Sequence, residues 1–216
     1  MQGLIGRKLG MTQVFDENGR RLPVTVIELG PCVVVQRKTA EKDGYNAVQL
    51  GFGDQKESRL TKPALARFKK VESGAKRHLK EFAVDAEEEV GEGDTLTLSI
   101  FEGTEYVDVA GVTKGRGFQG VVKRYRMSGG PKTHGGHSVR RVGSIGQCSY
   151  PARVAKGQRM PGHMGRVNIT QQNLKVVELD GENNLMLVNG AVPGPTGAVV
   201  YVKKALKKPS SAAKGK

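Results

Sequence analysis

Residues 109–126 read VAGVTKGRGFQGVVKRYR and open a window, Val109 to Val177, whose charge differs from that of the rest of the chain. The window contains 13 Lys or Arg and no Asp or Glu in 69 residues. Residues 1–108 carry a net charge of −2 and residues 178–216 carry +3, so the window holds +13 of the total +14. The sequence therefore predicts a nearly neutral body with a basic insert.

The middle of this window, residues 127–165, has the composition of an extended arm. It is rich in glycine, and its few apolar residues do not recur at a helical period. Such a segment buries too little apolar surface to fold against itself, and its positive charge favours a polyanionic partner. If its 39 residues run out and back, each limb of about 19 residues reaches on the order of 60 Å. We expect this arm to enter a large assembly.

The flanking sequence predicts many short strands and a single helix. Runs of apolar and alternating residues bounded by turn residues indicate strands at 4–15, 22–29, 33–35, 47–52, 78–84, 95–101, 167–179, 185–188 and 198–202. Asn18 and Gly19 are expected to form a tight turn with two positive φ angles. Thr61 is expected to cap a helix that carries Phe68 on its apolar face. This pattern is mainly β and favours a small closed barrel.

Composition excludes several classes of protein. No apolar run approaches the roughly 20 residues of a membrane span, and the first residues lack the features of a signal peptide. We interpret Cys32 and Cys148 as free thiols of a reducing compartment. A pI near 9.9 without a basic amphipathic helix favours nucleic acid over a membrane surface.

Residues 115–120, GRGFQG, match the glycine spacing of dinucleotide-binding and kinase loops. The dinucleotide interpretation needs an acidic residue about 20 positions later, where this chain has Arg140 and Arg141. The kinase interpretation needs catalytic and metal-binding Asp residues that the sequence lacks. We therefore predict no nucleotide cofactor and expect these glycines to let the backbone approach phosphates.

Three imidazoles and one thiol lie in or beside the arm: His134, His137, Cys148 and His163. Their spacing lacks the paired Cys-x-x-Cys of a structural zinc site, so we predict no metal. Ser144 or Cys148 beside a histidine would need a carboxylate to orient the base, and the arm has none, which argues against catalysis. Contacts with RNA are the favoured role for these side chains. The predicted RNA-binding residues are Lys114, Arg116, Lys123, Arg124, Arg126, Lys132, His134, His137, Arg140, Arg141, Arg153, Lys156, Arg159, His163 and Arg166.

The run from Phe101 to Arg124, with DVAGVTKGRGFQGVVKR at 108–124, resembles the signature of bacterial large-subunit ribosomal protein L3. Further segments that resemble this family are GLIGRKLGMT (3–12), GPC (30–32), DGY (43–45), GSIGQ (143–147), MPGHMG (160–165) and GAVPG (190–194). The chain departs from the family pattern at Val142, where Pro is frequent, and at Pro161, where Ala is common.

The resemblance implies a barrel of the translation-protein type, an inserted α+β segment, and an arm that runs through large-subunit rRNA toward the peptidyl transferase centre. It thus assigns 1–53, 93–126 and 166–204 to the barrel body, 54–92 to the insert, 127–165 to the arm and 205–216 to a disordered basic tail. It also implies assembly of the large subunit of the cytoplasmic ribosome, with ribosomal proteins L14 and L19 as neighbours. Gln147 stands where some family members carry N5-methylglutamine.

Two other classes of function remain open from the residues alone. An RNA-modifying enzyme would require a carboxylate or metal constellation within the basic window, and a non-ribosomal architectural protein would prefer duplex DNA. Binding to duplex DNA and to structured rRNA at one salt concentration separates the latter from a ribosomal protein.

Overall fold

The structure, a computed structural model, describes residues 2–71, 73–84 and 90–208. Most of the regular structure in these ranges is β. The strands are β1 Gly3–Phe15, β2 Arg21–Leu29, β3 Cys32–Lys38, β4 Ala47–Asp54, β5 Lys76–Ala83, β6 Thr95–Leu96, β7 Tyr106–Val112, β8 Phe118–Gln119, β9 Gly162–His163, β10 Asn168–Asp180, β11 Leu185–Asn189 and β12 Val199–Lys204. The α-helices are α1 Ala40–Asp43, α2 Lys62–Lys70 and α3 Val121–Tyr125, with 3-10 turns at Glu57–Arg59 and Leu98–Phe101.

Six strands close into an antiparallel barrel in the order β1-β12-β7-β10-β11-β2. The barrel strands bury apolar side chains in its core, and Leu4, Ile27, Val109, Met186 and Val202 are fully buried. Burying each such side chain contributes about 1.5–3 kcal/mol before the entropy of ordering is counted. The predicted β-barrel is confirmed.

The turn between β1 and β2 is closed by a side chain. Asp16 Oδ1 accepts hydrogen bonds from the backbone N–H groups of Asn18 and Arg20, each at 2.9 Å. Gly19 has a φ of +70°, but Asn18 does not have a positive φ. The expectation of two positive φ angles was therefore wrong, because Asp16 stabilises a longer loop that needs only one.

Lys8 of β1 is a buried cation. Its Nζ donates to the carbonyl oxygen of Val192 at 2.9 Å and to that of Gly194 at 3.3 Å. Backbone carbonyls thus replace the hydration that the ammonium group loses on burial. These bonds tie the loop between β11 and β12 to the first strand.

A second sheet has the order β5-β4-β3-β6. Strand β3 and all of β4 but Asp54 lie within residues 1–53, which we assigned to the barrel body, and they pair in this sheet instead. The reason is that both edges of β2 are already occupied, by β1 and by β11. Cys32 of β3 donates its thiol hydrogen to the carbonyl oxygen of Ile5 at 3.3 Å, and burial raises the pKa of this thiol to about 11.

Helix α2 begins after Thr61, as predicted, and has Pro63 in its first turn. Thr61 occupies the N-cap position, but its side chain makes no capping hydrogen bond, so that part of the prediction was wrong. Phe68 is buried in a small cluster with Val35 and Ala75. This cluster holds the helix against the second sheet.

The structure also differs from the predicted elements elsewhere, and the short elements α1, β8 and β9 were not predicted. Residues 95–101 form only a two-residue strand, followed by a 3-10 turn that buries Leu98 and Phe101. Strand β7 and helix α3 were not predicted. In β7 Asp108 is buried although it lies between the inward-facing Val107 and Val109, and its Oδ1 accepts the N–H of Asn173 at 2.8 Å, which offsets the cost of burying the carboxylate.

The described chain divides into two compact units, Met1–Val112 with Asn168–Lys216, and Thr113–Val167. We call the second of these the basic unit. The predicted boundaries of the insert, 54–92, and of the arm, 127–165, remain a prediction, and residues 209–216 of the predicted tail lie outside the described ranges. None of the helices in those ranges is long and apolar enough to span a membrane.

Candidate nucleic-acid interface

The basic unit concentrates the positive charge of the molecule. Its 55 residues include 12 Lys or Arg and no Asp or Glu, and the rest of the chain carries +2 of the total +14. The ion pairs between the ammonium of Lys38 and the carboxylate of Glu81, and between those of Lys76 and Asp54, lie in the other unit. Because the basic unit contains no carboxylate side chain, its cations have no such partner within it.

Of the 15 predicted RNA-binding residues, 14 are exposed and Arg124 is half-buried. The exposed residues are Lys114, Arg116, Lys123, Arg126, Lys132, His134, His137, Arg140, Arg141, Arg153, Lys156, Arg159, His163 and Arg166. The structure therefore leaves nearly all of the predicted cationic side chains available to a partner.

Backbone hydrogen bonds join the two ends of the basic unit. The N–H of Thr113 donates to the carbonyl of Val167 at 3.0 Å, and the N–H of Arg116 donates to that of Met164 at 2.9 Å. The N–H of Met164 donates in turn to Gly117 at 2.9 Å, and β8 pairs with β9. The chain thus leaves and returns along paired segments.

Gly165 permits the close approach of these paired segments. It has a φ of +76°, and a Cβ at this position would collide with the carbonyl oxygen of Lys114. A side chain here would therefore be strained both in conformation and in space. The conformation and packing of the protein itself therefore account for glycine at position 165, and no contact with a partner is needed to explain it.

Between α3 and β9 the structure contains no helix or strand, and every residue of that segment is described. The segment nevertheless forms local contacts. The N–H of Gly130 donates to the carbonyl of Val139 at 3.1 Å, and that of Gly136 donates to Thr133 at 3.2 Å. Turns rather than a packed core therefore shape the arm.

Arg124 has partners within the protein. Its Nη1 donates to the carbonyl of Met160 at 2.7 Å, and its guanidinium lies 5.0 Å from the ring centre of Tyr125. The guanidinium of Arg159 lies 5.7 Å from the same ring. These contacts hold α3 against the segment that enters β9, so Arg124 supports the geometry of the unit whether or not it also contacts a ligand.

The glycine motif at 115–120 does not lie in a nucleotide-binding context. It sits between β7 and the five-residue helix α3, and β8 within it pairs antiparallel with β9. A dinucleotide fingerprint instead joins a strand of a parallel sheet to a helix. Gly117 has a φ of +66°, which explains glycine there. A Cβ at Gly120 would meet no atom within 4 Å and its φ is not positive, so neither packing nor backbone conformation explains this glycine.

The thiols and imidazoles do not form a metal centre in the part of the chain that is described. No group of three or more His, Cys, Asp or Glu there is placed to hold an ion. Cys32 is a buried free thiol and Cys148 is an exposed one, which confirms the prediction of free thiols. Gln147 is also exposed.

Two aromatic residues of the basic unit were missed by the sequence reasoning. Phe118 is 76% exposed and Tyr150 is 88% exposed. Aromatic rings on a cationic surface are suited to stacking with nucleic-acid bases. The sequence contained the information needed to predict their exposure. Both rings lie in a glycine-rich basic stretch that has too few apolar residues to form a core around them.

Comparison with known proteins agrees with this arrangement. The family model for ribosomal protein L3 matches residues 52–183. The large ribosomal subunit protein uL3 of Brachyspira pilosicoli is 51% identical over 208 residues, which cover 96% of this chain and 95% of that protein. The protein of the same name from Brachyspira hyodysenteriae is 50% identical over 208 residues, covering 96% of each chain. The chain belongs to the ribosomal protein L3 family.

Proposed function

We propose that this chain binds large-subunit rRNA through the basic unit and extends the arm 127–165 toward the peptidyl transferase centre. The observation that carries the proposal is a compact unit with 12 Lys or Arg and no carboxylate side chain. Cations without carboxylate partners gain most from a polyanion, because binding neutralises their mutual repulsion and releases counterions from the nucleic acid.

Membership of the family gives the coarser statement. The chain is a structural constituent of the large subunit of the bacterial cytoplasmic ribosome, and it is not an enzyme. A purely structural role suits the chemistry of the basic unit, which has no carboxylate to act as a base or to orient one. On this proposal the chemistry of peptide transfer is left to RNA.

The contacts with rRNA are divided among side chains of different geometry. Exposed arginines such as Arg140, Arg141 and Arg153 present planar guanidinium groups that can bind phosphate with two hydrogen bonds, whereas Lys156 acts as a point charge. His134 and His137 are exposed and can donate or accept hydrogen bonds at base edges or riboses. We propose that the phosphate contacts position the arm and that the imidazoles fix its local geometry.

We further propose that the chain nucleates assembly of the subunit and lies beside ribosomal proteins L14 and L19. A barrel that is stable without RNA can dock first, and the arm can then become ordered as rRNA closes around it. The support for this order is the contrast between the buried barrel core and an arm shaped by turns. The two protein neighbours are carried over from the family.

Methylation of the side-chain amide of Gln147 is a separate proposal. The residue is exposed and follows Gly146 in the GSIGQ segment, so a modifying enzyme can reach it before assembly. Mass spectrometry of the ribosomal protein should show one added methyl group, about 14 Da, on the peptide that contains Gln147. An unmodified peptide would reject this proposal.

The proposed function is tested by binding and sedimentation. The full chain should remain with large subunits after a high-salt wash, and it should prefer structured large-subunit rRNA to duplex DNA at one salt concentration. Equal affinity for duplex DNA would favour the architectural alternative. Release at moderate salt, with no preference for rRNA, would overturn the proposal.

A further inference from the structure

The basic unit has a concavity of about 750 Å³ that is formed by residues 144–158. Its wall includes the side chains of Ile145 and Val154, which are 42% and 41% exposed. A hydrogen bond of 3.0 Å from Ser144 Oγ to the carbonyl of Gly146 fixes one rim. A turn also contributes to the wall, and in it the N–H of Gln158 donates to the carbonyl of Ala155 at 3.2 Å. Local hydrogen bonds therefore shape two parts of the wall.

The polar groups of the wall suit a nucleotide. Arg153 and Lys156 supply positive charge, while Gln147 and Gln158 supply amides that both donate and accept hydrogen bonds. The apolar surface can contact the flat face of a base, and the two cations can bind the phosphates on either side of it. The two amides can form hydrogen bonds with the polar edge of the base. A purely hydrophobic ligand would leave the cations and amides without partners.

Tyr150 provides a second, independent feature beside this concavity. It directly precedes the wall residue Pro151 in the chain, and its side chain is 88% exposed. Tyr125 in the same unit, by contrast, lies against the guanidinium groups of Arg124 and Arg159. Leaving so much aromatic surface in water is unfavourable, and an unpaired base is the partner that such a ring accepts without sequence preference.

Gly146 supports the same conclusion. A Cβ there would meet no atom within 4 Å, and its φ does not fall in the positive range that favours glycine. The fold therefore does not require glycine at this point of the wall. A ligand that approaches the backbone closely would require it.

We propose that residues 144–158 bind a short unpaired segment of large-subunit rRNA. One base stacks on Tyr150, a neighbouring base enters the concavity against Ile145 and Val154, and Arg153 and Lys156 hold the phosphates between them. This inference rests on the proposed function and adds to it the form of RNA that the site takes. It assigns recognition to single-stranded bases rather than to a helical surface.

The test uses the full chain and isolated large-subunit rRNA. Tyr150→Leu removes the aromatic face but keeps an apolar side chain, and it should weaken binding about 5- to 150-fold, the range that corresponds to losing one stacked base. It should also restore chemical reactivity to a base that the wild-type protein protects. Tyr150→Phe keeps the ring and should bind within about threefold of wild type.

Matched controls separate this site from general effects. Phe15→Leu alters an aromatic ring on β1 that is 64% exposed, and it should leave both affinity and protection unchanged. Gly146→Ala should keep the fold, as judged by circular dichroism, while losing the same base protection as Tyr150→Leu.

The outcomes distinguish this inference from the proposed function. Wild-type protein that binds rRNA, together with a Tyr150→Leu variant of equal affinity and equal protection pattern, would overturn the inference and leave the proposed function intact. Wild-type protein without preference for rRNA over duplex DNA would overturn both.

Discussion

At the scale of single residues, Lys8 shows how a buried charge can serve the fold of this protein. Its ammonium donates to the carbonyls of Val192 and Gly194, at 2.9 and 3.3 Å. Replacing it by Met keeps most of the volume but leaves buried carbonyls without a donor. We expect Lys8→Met to lower the free energy of unfolding by about 1–3 kcal/mol, as measured by urea denaturation.

Lys62→Met is the control for this prediction, because Lys62 is exposed at the start of α2. The control should shift the free energy of unfolding by less than about 0.5 kcal/mol. Equal unfolding midpoints for the Lys8 variant and wild type would show that the two hydrogen bonds do not stabilise the barrel.

The two thiols give a second prediction at this scale. Burial raises the pKa of Cys32 to about 11, so at pH 8 roughly one thousandth of this group is the reactive thiolate. Cys148 is exposed. Iodoacetamide at pH 8 should therefore alkylate Cys148 in the folded protein, and Cys32 only after denaturation. Peptide mass spectrometry measures both sites, and early alkylation of Cys32 would contradict the buried position of β3.

At the scale of elements, we expect the arm to be separable from the barrel. Deleting residues 128–160 and joining the ends with a short glycine-containing turn removes no barrel strand. Circular dichroism of the deleted protein should therefore retain the β signal. The protein should still enter large subunits, and those subunits should be impaired in maturation or in peptidyl transferase activity.

Two results would contradict this expectation. An unfolded deletion variant would show that the arm contributes to the stability of the barrel. Subunits that contain the shortened chain and have full activity would show that the arm is dispensable.

The elements that the sequence predicted correctly are those in which local pattern and tertiary structure agree. β2 alternates apolar and polar residues, and one face of it is buried in the barrel. Helix α2 has Pro63 in its first turn and Phe68 on its inner face. The residues that determine each of these elements lie close together in the sequence, so local pattern is enough to predict the element.

The missed elements depend on contacts that are distant in sequence. β7 contains Asp108, whose burial depends on the N–H of Asn173, 65 positions away. Residues 95–101 alternate like a strand, but Leu98 and Phe101 are also three apart, which fits the 3-10 turn that they form. The pairing of β3 outside the barrel depends on β11 occupying the edge of β2. Local pattern does not contain this information.

For the candidate site, the sequence predicted the concentration of positive charge but not the contacts and exposure of individual side chains. A count of charged residues located the basic unit, because carboxylates are absent from it. The internal role of Arg124 and the exposure of Tyr150 needed coordinates, since either residue type occurs both inside and outside a folded unit. The glycines also divide by position: Gly165 serves the packing of the protein, while Gly146 has open space around it.

At the scale of the whole molecule, the distribution of charge separates a nearly neutral body from the basic unit. The chain carries +14, of which the basic unit holds 12 charges. Each phosphate contact made by such a unit contributes about 0.7–0.9 to the slope of log affinity against log salt. If the chain binds rRNA as proposed, the salt slope reports the number of phosphate contacts, and the change of slope in a variant shows whether the replaced residues make them.

The most direct test of the central claim compares two variants of equal net charge. One replaces Arg140, Arg141, Arg153 and Lys156 of the basic unit with Gln, and the other replaces four exposed cations in or beside α2, namely Arg59, Lys62, Arg67 and Lys69. The measurement is the affinity of each full chain for large-subunit rRNA across a range of salt concentrations. We predict that the first variant binds more weakly and that its slope is smaller by about 2.8 to 3.6, while the second keeps the wild-type slope. Equal slopes for the two variants would contradict the claim that the basic unit is the rRNA-binding part of this protein.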